Sequence, residues 1–269
     1  METRSEMLEL RGVSLVYNRG RADEVRALNE VDLTVGDGEF VTIVGSNGAG
    51  KSSLVQTIAG SVRPTSGSVH IAGKNVTSRT DFQRAGTVAR VFDDPRVGSA
   101  PDLSIEDNLA LAMLRGQRRS LRMSLTSGRR AVMRERLSRL GLGLEDRLHD
   151  KVGLLSAGQR QSLTMVMASM VAPRVLLLDE HLAALDPGTA QRVLDLTGDL
   201  VAEMQCATLM ITHNMEHAIS VGSRLLVMSR GEIAADVSGV EKAALSPQGI
   251  VDMIVGSGDA VSDRLMLAD

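Results

Sequence analysis

The octapeptide Gly45-Ser46-Asn47-Gly48-Ala49-Gly50-Lys51-Ser52 constrains this chain more than any other stretch. It fits the pattern G-x-x-x-x-G-K-[ST]. Its three glycines let the backbone wrap closely around a polyphosphate, and successive N–H groups then form a nest for anionic oxygens. Lys51 can reach the β- and γ-phosphates, and the Ser52 hydroxyl can ligate Mg²⁺. The flanks agree: Glu39–Val44 reads as a buried strand and Ser53–Ala59 as a helix ended by Gly60. The loop therefore sits at a helix N-terminus, where the macrodipole favours anions. Gly45 to Ser53 are the expected nucleotide-binding residues.

Bulk properties narrow the remaining choices. A chain of 269 residues supports one large domain with a substantial core. A net charge of −3 leaves no electrostatic footprint for nucleic acid. Cys206 is the sole cysteine, so no internal disulfide forms, and beside an apolar strand it reads as a small buried hydrophobe. No run of about 18 apolar residues is present, and the start Met1–Glu6 lacks a signal pattern. Any membrane role is therefore expected to come through a partner. With no Trp and a single Tyr, the core must rest on aliphatic residues and 14 Met.

Along the chain, Val13–Tyr17 and Glu30–Val35 alternate as half-buried strands, with a polar loop between them, and Ser68–Gly73 reads as another strand. Ser104-Ile105-Glu106-Asp107 opens a helix with a capping-box-like start. A second helix is expected near Arg129–Leu140, with Val132, Leu137 and Leu140 as its apolar positions, and another over Gln161–Met170. The α/β pattern then resumes. Arg174–Asp179 and Thr208–Thr212 read as buried strands and Gly188–Gln205 as a helix with Val193, Leu196, Leu200 and Val201 on one face. Arg224–Met228 and Glu232–Ala235 read as late strands, and Ser246-Pro247 as the start of a last helix. The expected fold is an α/β P-loop NTPase (RecA-like) core with an N-terminal antiparallel β subdomain and an inserted α-helical subdomain. The parts are expected at about residues 8–92 and 173–238 for the core with its β subdomain, 93–172 for the helical insertion and 239–269 for a tail, all within one domain.

The second half carries further chemistry. Asp179 ends an apolar strand, where its carboxylate can hold Mg²⁺, and Glu180 beside it is placed to orient or deprotonate an attacking water. Leu155-Ser156-Ala157-Gly158-Gln159 precedes a helix and forms another anion-friendly helix start.

With these motifs in order the sequence resembles the ABC ATPase family over about residues 8 to 238. Ser156, Ala157, Gly158 and Gln159 resemble its LSGGQ signature, Ala184-Leu185-Asp186 its D-loop, His213 its switch histidine and Tyr17 the aromatic that stacks on adenine. The resemblance implies an ATPase using ATP and Mg²⁺, with Glu180, His213 and Lys51 catalytic. It also implies that two such subunits pair head to tail, the signature of one closing over the ATP of the other. His181 and His217 are given no chemistry. The closer likeness of Leu140–Glu145, Gly153–Ser156, Asp179–His181 and Thr212–Met215 is to the ATPase of a bacterial tryptophan/tyrosine-type uptake system. That implies integral-membrane permease subunits, an extracytoplasmic solute-binding protein, and a place at the cytoplasmic face of the membrane. An ATP-binding regulatory subunit with little turnover and a soluble, non-transport ABC ATPase are the alternatives.

Three positions depart from the family pattern. Asp93 stands where the resemblance implies a Q-loop glutamine at the Mg²⁺ and the attacking water, and adds a negative charge there. Ala157 replaces the first signature glycine, and Leu182 a small polar residue. Reduced but present ATPase activity is expected. The arginine-rich segment of Arg115, Arg118, Arg119, Arg122, Arg129, Arg130, Arg134, Arg136 and Arg139 reads either as a solvated helical arm or as a contact with anionic headgroups or a permease loop.

Overall fold

The computed structural model describes residues 6–117 and 125–257. Two long strands, β1 (Glu6–Tyr17) and β2 (Val25–Gly36), pair antiparallel. β3 (Phe40–Gly45) runs into the phosphate loop and α1 (Lys51–Ala59). β4 (Ser66–Ile71) returns to pair with β1, and β5 (Lys74–Asn75) lies at the edge, giving a sheet of order β2-β1-β4-β5. After the short α2 (Asp81–Arg84) and β6 (Val88–Val91), the chain leaves the sheets for α3 (Ile105–Met113), α4 (Ser127–Ser138), two 3-10 turns and α5 (Ala157–Ser169). It returns through β7 (Val175–Asp179), α6 (Pro187–Met204), β8 (Ala207–Ile211), α7 (Met215–Ser220), β9 (Arg224–Ser229) and β10 (Glu232–Ser238). It ends with α8 (Gly239–Ala243) and α9 (Pro247–Gly256).

The second sheet has the order β10-β9-β3-β8-β7-β6, parallel except for β10. β8 lies between β3 and β7, in register Ile43↔Ile211 and Asp179↔Ile211. The carboxyl ends of these three strands therefore share one edge, where doubly wound sheets bind ligands. β8 is buried at all five positions and β7 at its first four, because helices cover both faces. One face packs with α1 against the first sheet, through Leu54, Val55 and Ile58. The other meets α5 and α6, through Met165, Val193 and Val201. A separate cluster, centred on Ile105, Leu109, Met133, Leu137 and Leu163, holds α3, α4 and α5 together. Ile250 and Ile254 of α9 pack on Met215, Ala218 and Leu225. Among the described residues no helix is long and apolar enough to cross a membrane.

Several elements differ from the sequence expectation. β1 and β2 each span 12 residues, extended by bulges that re-register the pair. α5 starts at Ala157, because Ser156 and Gln159 cap it reciprocally. In α4, Met133 and Leu137, four apart, face the core, whereas Val132 is exposed. β5, α2, β6, α7 and α8 were not expected. All are short, and β6 carries Arg90 within its apolar run.

Candidate functional site

The phosphate loop is shaped by contacts that only glycine permits. Gly45 has φ +152°, and a β-carbon there would stand 2.2 Å from the Met228 carbonyl oxygen. At Gly50, with φ +102°, it would stand 2.5 Å from the Ala27 carbonyl oxygen. The Ala49 N–H donates to Ser46 O (3.2 Å), the Gly231 N–H to Ala49 O (3.0 Å), and the Asn29 N–H to Gly231 O (2.9 Å). Both sheets thus brace the loop. Among the described residues no side chain caps the start of α1, so its positive end faces the loop. Lys51 is buried and donates from Nζ to Gly45 O (2.7 Å) and Ser46 O (2.9 Å). Asn47, Gly48 and Ser52 are exposed, and Ser53 is half-buried. The Tyr17 hydroxyl lies 3.4 Å from Ser53 Oγ and donates to Gln56 Oε1 (3.3 Å), which sets its ring on the flank of α1 next to the loop.

The acidic side lies two strands away. Asp179 accepts from Arg90 Nη2 at 2.6 Å, with 14 % and 17 % of the two side chains exposed. The Arg90 guanidinium also sits 4.5 Å from the Phe92 ring centre, a cation–π contact. Glu180 takes a left-handed φ of +49°, which costs a non-glycine residue about 1 kcal/mol and clusters at functional sites. Its N–H donates to Ile211 O (3.1 Å), and its Oε1 lies 2.6 Å from His213 Nε2. His213 Nδ1 is buried with no hydrogen-bond partner among the described residues. His181 is buried, 3.2 Å from Thr197 Oγ1 through Nε2. Burial pushes it down to about 3, with His217 adding to the shift. Burial likewise lowers His217, against a smaller opposing effect of Glu216. Asp93 is exposed in the bend after β6. Among the described residues no group of three or more His, Cys, Asp or Glu is placed to hold a metal ion, so Asp93, Asp179 and Glu180 do not form one cluster. Leu182 packs into the core beneath α6, which gives its apolar side chain a place.

The signature is built on two helix starts. Ser156 Oγ accepts from the Gln159 N–H (3.2 Å), and Gln159 Oε1 accepts from the Ser156 N–H (3.1 Å). Ala157 and Ser156 are exposed. A β-carbon on Gly158 would stand 2.3 Å from Thr189 Cγ2 on α6. Thr189 in turn donates its N–H to Asp186 Oδ1 (3.0 Å), the cap of α6. Hydrogen bonding from Thr189, first through its side chain and then through its N–H, holds the Asp186 carboxyl below the usual range. Ser156, Gly158 and Gln159 line a cleft of about 450 Å³. Glu180 and His213 line another, of about 480 Å³, that shares no residue with it.

Sequence reasoning missed Arg90, Thr189 and Arg84. The signal for Arg90 was a lone charge in Val88-Ala89-Arg90-Val91-Phe92. Four arginines of the arginine-rich segment serve the protein's own contacts. Arg115 donates to the Ala168 and Val171 carbonyls, Arg130 to Glu106, and Arg136 and Arg139 both to Glu203. Arg118, Arg119 and Arg122 lie outside the described residues.

Comparison with known proteins agrees with this geometry. The family model described as ABC transporter matches residues 28–183. The tyrosine transport ATP-binding protein of Clostridioides difficile (strain R20291) is 37 % identical over 246 residues, 91 % of this chain and 98 % of that one. The thiamine import ATP-binding protein ThiQ of Chelativorans sp. (strain BNC1) is 34 % identical over 244 residues, 90 % of this chain and 91 % of that one. Among solved structures, the ATP-binding cassette MJ0796, a dimer in a post-hydrolysis state bound to ADP and Pi, matches with a TM-score of 0.72 at 27 % identity. That match covers 86 % of this chain and 98 % of the other.

Proposed function

The chain belongs to the ABC transporter family, and on that premise we propose that it is the ATP-hydrolysing subunit of an importer for an amino acid or similar small solute, working as a head-to-tail pair. It is an ATPase that uses Mg²⁺; the solute, the pairing and the partners are the proposal. Its residues fit the magnesium nucleotide. Glycines clear a cradle that β-carbons would obstruct, and the Asp179 carboxylate already meets a cation, the Arg90 guanidinium, at 2.6 Å. Ser52 and, through water, Asp179 would hold Mg²⁺, which would offset the negative charge that develops on the phosphate during transfer.

The same reading gives the remaining roles to the chain's own residues. Lys51 is held by two loop carbonyls and exchanges them for phosphate oxygens. Glu180 orients the attacking water and accepts its proton. His213 fixes that carboxylate through Nε2 and is placed to sense the γ-phosphate. Tyr17 offers its ring to adenine.

The observation that carries the pairing is the separation of the two clefts. The exposed signature faces one space and the Glu180–His213 pair another. A second copy turned head to tail brings the signature of one subunit over the loop of the other. Asp186 then lies at the boundary, rigidly capping α6. The relative named for tyrosine transport supports an amino-acid solute. Permease subunits, an extracytoplasmic binding protein and a position on the cytoplasmic face complete the reading.

Sedimentation of Glu180→Gln with ATP and Mg²⁺ tests the pairing: a dimer is expected, and a nucleotide-bound monomer overturns it. The solute is tested by reconstituting the co-purifying membrane protein with this chain in vesicles. ATP-driven amino-acid uptake is expected, and uptake of none of the twenty overturns that part.

A further inference from the structure

The structure places Arg90 on Asp179, and a single hydrogen bond makes the attachment. It binds through a single nitrogen, Nη2 to Oδ2 at 2.6 Å. Its Nε is buried with no hydrogen-bond partner among the described residues. A two-pronged arginine–carboxylate pair would satisfy both nitrogens and hold harder. Register places Arg90 opposite Leu177 on β7, so the guanidinium reaches along the strand toward Asp179. There is also space to receive it. Arg90 lines a cleft of about 1660 Å³ with Gly86, Gly98 and Thr164, between β6 and the start of the helical region. The Phe92 face at 4.5 Å supplies a second resting contact that does not depend on the carboxylate.

A divalent cation brought to Asp179 competes with Arg90 for the same negative charge. We propose that Arg90 is a positioning residue that neutralises and orients Asp179 while the metal is absent and yields that carboxylate to the divalent cation that accompanies the nucleotide. The proposal rests on the ATPase reading, which supplies the metal. Its consequence is electrostatic. With Arg90 present, a metal-free nucleotide meets a site in which Asp179 is already compensated. Without it, Asp179 and the neighbouring Glu180 repel the polyphosphate, and only the metal removes that repulsion. Arg90 therefore lessens the dependence of nucleotide binding on Mg²⁺.

The test is the affinity for fluorescent mant-ATP, measured in EDTA and in excess Mg²⁺, for the full chain, Arg90→Met and Arg90→Lys. The readout is the ratio of the two dissociation constants, which a merely structural residue leaves unmoved. In Arg90→Met the ratio is expected to grow about tenfold, the effect of one unit charge at a partly exposed site. The growth arises from weaker binding in EDTA with binding in Mg²⁺ retained or tightened. Arg90→Lys, which keeps the charge, is expected to stay within about threefold of the parent. A ratio in Arg90→Met within about twofold of the parent overturns the proposal. So does a lysine variant that departs as far as the methionine one. Should Arg90→Met fail to fold, Arg90→Gln reads the same ratio. A parent chain that binds mant-ATP in neither condition is a different result: it removes the ATPase reading and this inference with it.

Discussion

Gly158 and Thr189 interlock: a β-carbon on the glycine would stand 2.3 Å from the threonine Cγ2. The contact joins the start of α5 to the start of α6, and so the signature to the residue that Asp186 uses as its capping donor. Thr189 has little freedom to retreat, because it is β-branched and its Oγ1 accepts from Arg192 Nη2 at 3.0 Å. Gly158→Ala is therefore expected to cost about 1–3 kcal/mol, the usual range for overpacking. Adding Thr189→Ser removes the clashing methyl and is expected to restore most of that loss. Urea unfolding of the single and double variants checks the coupling. By contrast Ala157→Gly, at an exposed first helical position, is expected to change stability by less than about 1 kcal/mol.

Arg84 ties down the other end of the helix that carries the phosphate loop. Its guanidinium is buried and donates to Thr57 O, Ile58 O and Val76 O at 2.7 Å each, and from Nε to Arg79 O at 3.0 Å. Burial lowers it to about 10, so it stays charged at neutral pH. Arg84→Met leaves these carbonyls without their donor and is expected to cost about 3 kcal/mol or more. Lysine lacks the planar fork and cannot meet all four, so Arg84→Lys is expected to fall well short of rescue. The midpoint of urea unfolding for both variants checks this.

Glu106 makes the helical region sensitive to acid. Its buried carboxylate accepts from Arg130 Nε at 2.7 Å and lies 3.2 Å from His149 Nδ1. The hydrogen bond from Arg130 holds it below the usual carboxylate range. In the folded state the carboxyl thus binds protons less readily than in the unfolded chain. Its stabilising contribution is complete above the ordinary value of 4.5 and is lost as pH falls through the lower folded value. Arg130→Met removes the main cause of the shift, so the variant is expected to be less stable than the parent at neutral pH and to lose less stability as pH falls through the carboxylate range. Urea unfolding followed by circular dichroism from pH 7 downward checks it, and an unchanged acid limb counts against this account.

Legibility in the sequence followed the length and purity of each signal. The phosphate loop and β7 were plain because a spaced glycine–lysine pattern and an unbroken apolar run have few other readings. β6 was not, since four residues with Arg90 among them match neither an alternating nor a continuous apolar strand. Leu137 on α4 and Leu140 just beyond it pack on the core as expected, and only Val132 was misjudged in place of Met133. Val132 and Met133 are both apolar, and the four-residue spacing from Met133 to Leu137 puts Met133 rather than Val132 on the core face. The early start of α5 was present in Ser156 and Gln159, a capping box obscured by Gly158 inside its first turn. The interlock of Gly158 with Thr189 and the pairing of Arg90 with Asp179 join residues far apart in sequence, and no local pattern encodes them.

Asp93 is the departure with the clearest kinetic consequence. It is exposed in the bend that follows β6, three residues beyond the arginine paired with Asp179. On the proposed reading, a carboxylate there adds negative charge near the polyphosphate and the attacking water. An amide of one more methylene reaches further and carries no charge. Asp93→Gln is therefore expected to raise turnover several-fold, by about 1 kcal/mol of barrier. Because the change removes a charge, the gain is expected to shrink as salt screens the site. Steady-state ATPase rates of parent and variant at low and high ionic strength check both parts. Turnover that is unchanged or lower in Asp93→Gln shows that the carboxylate is no handicap and has taken over the role that the resemblance gives to glutamine.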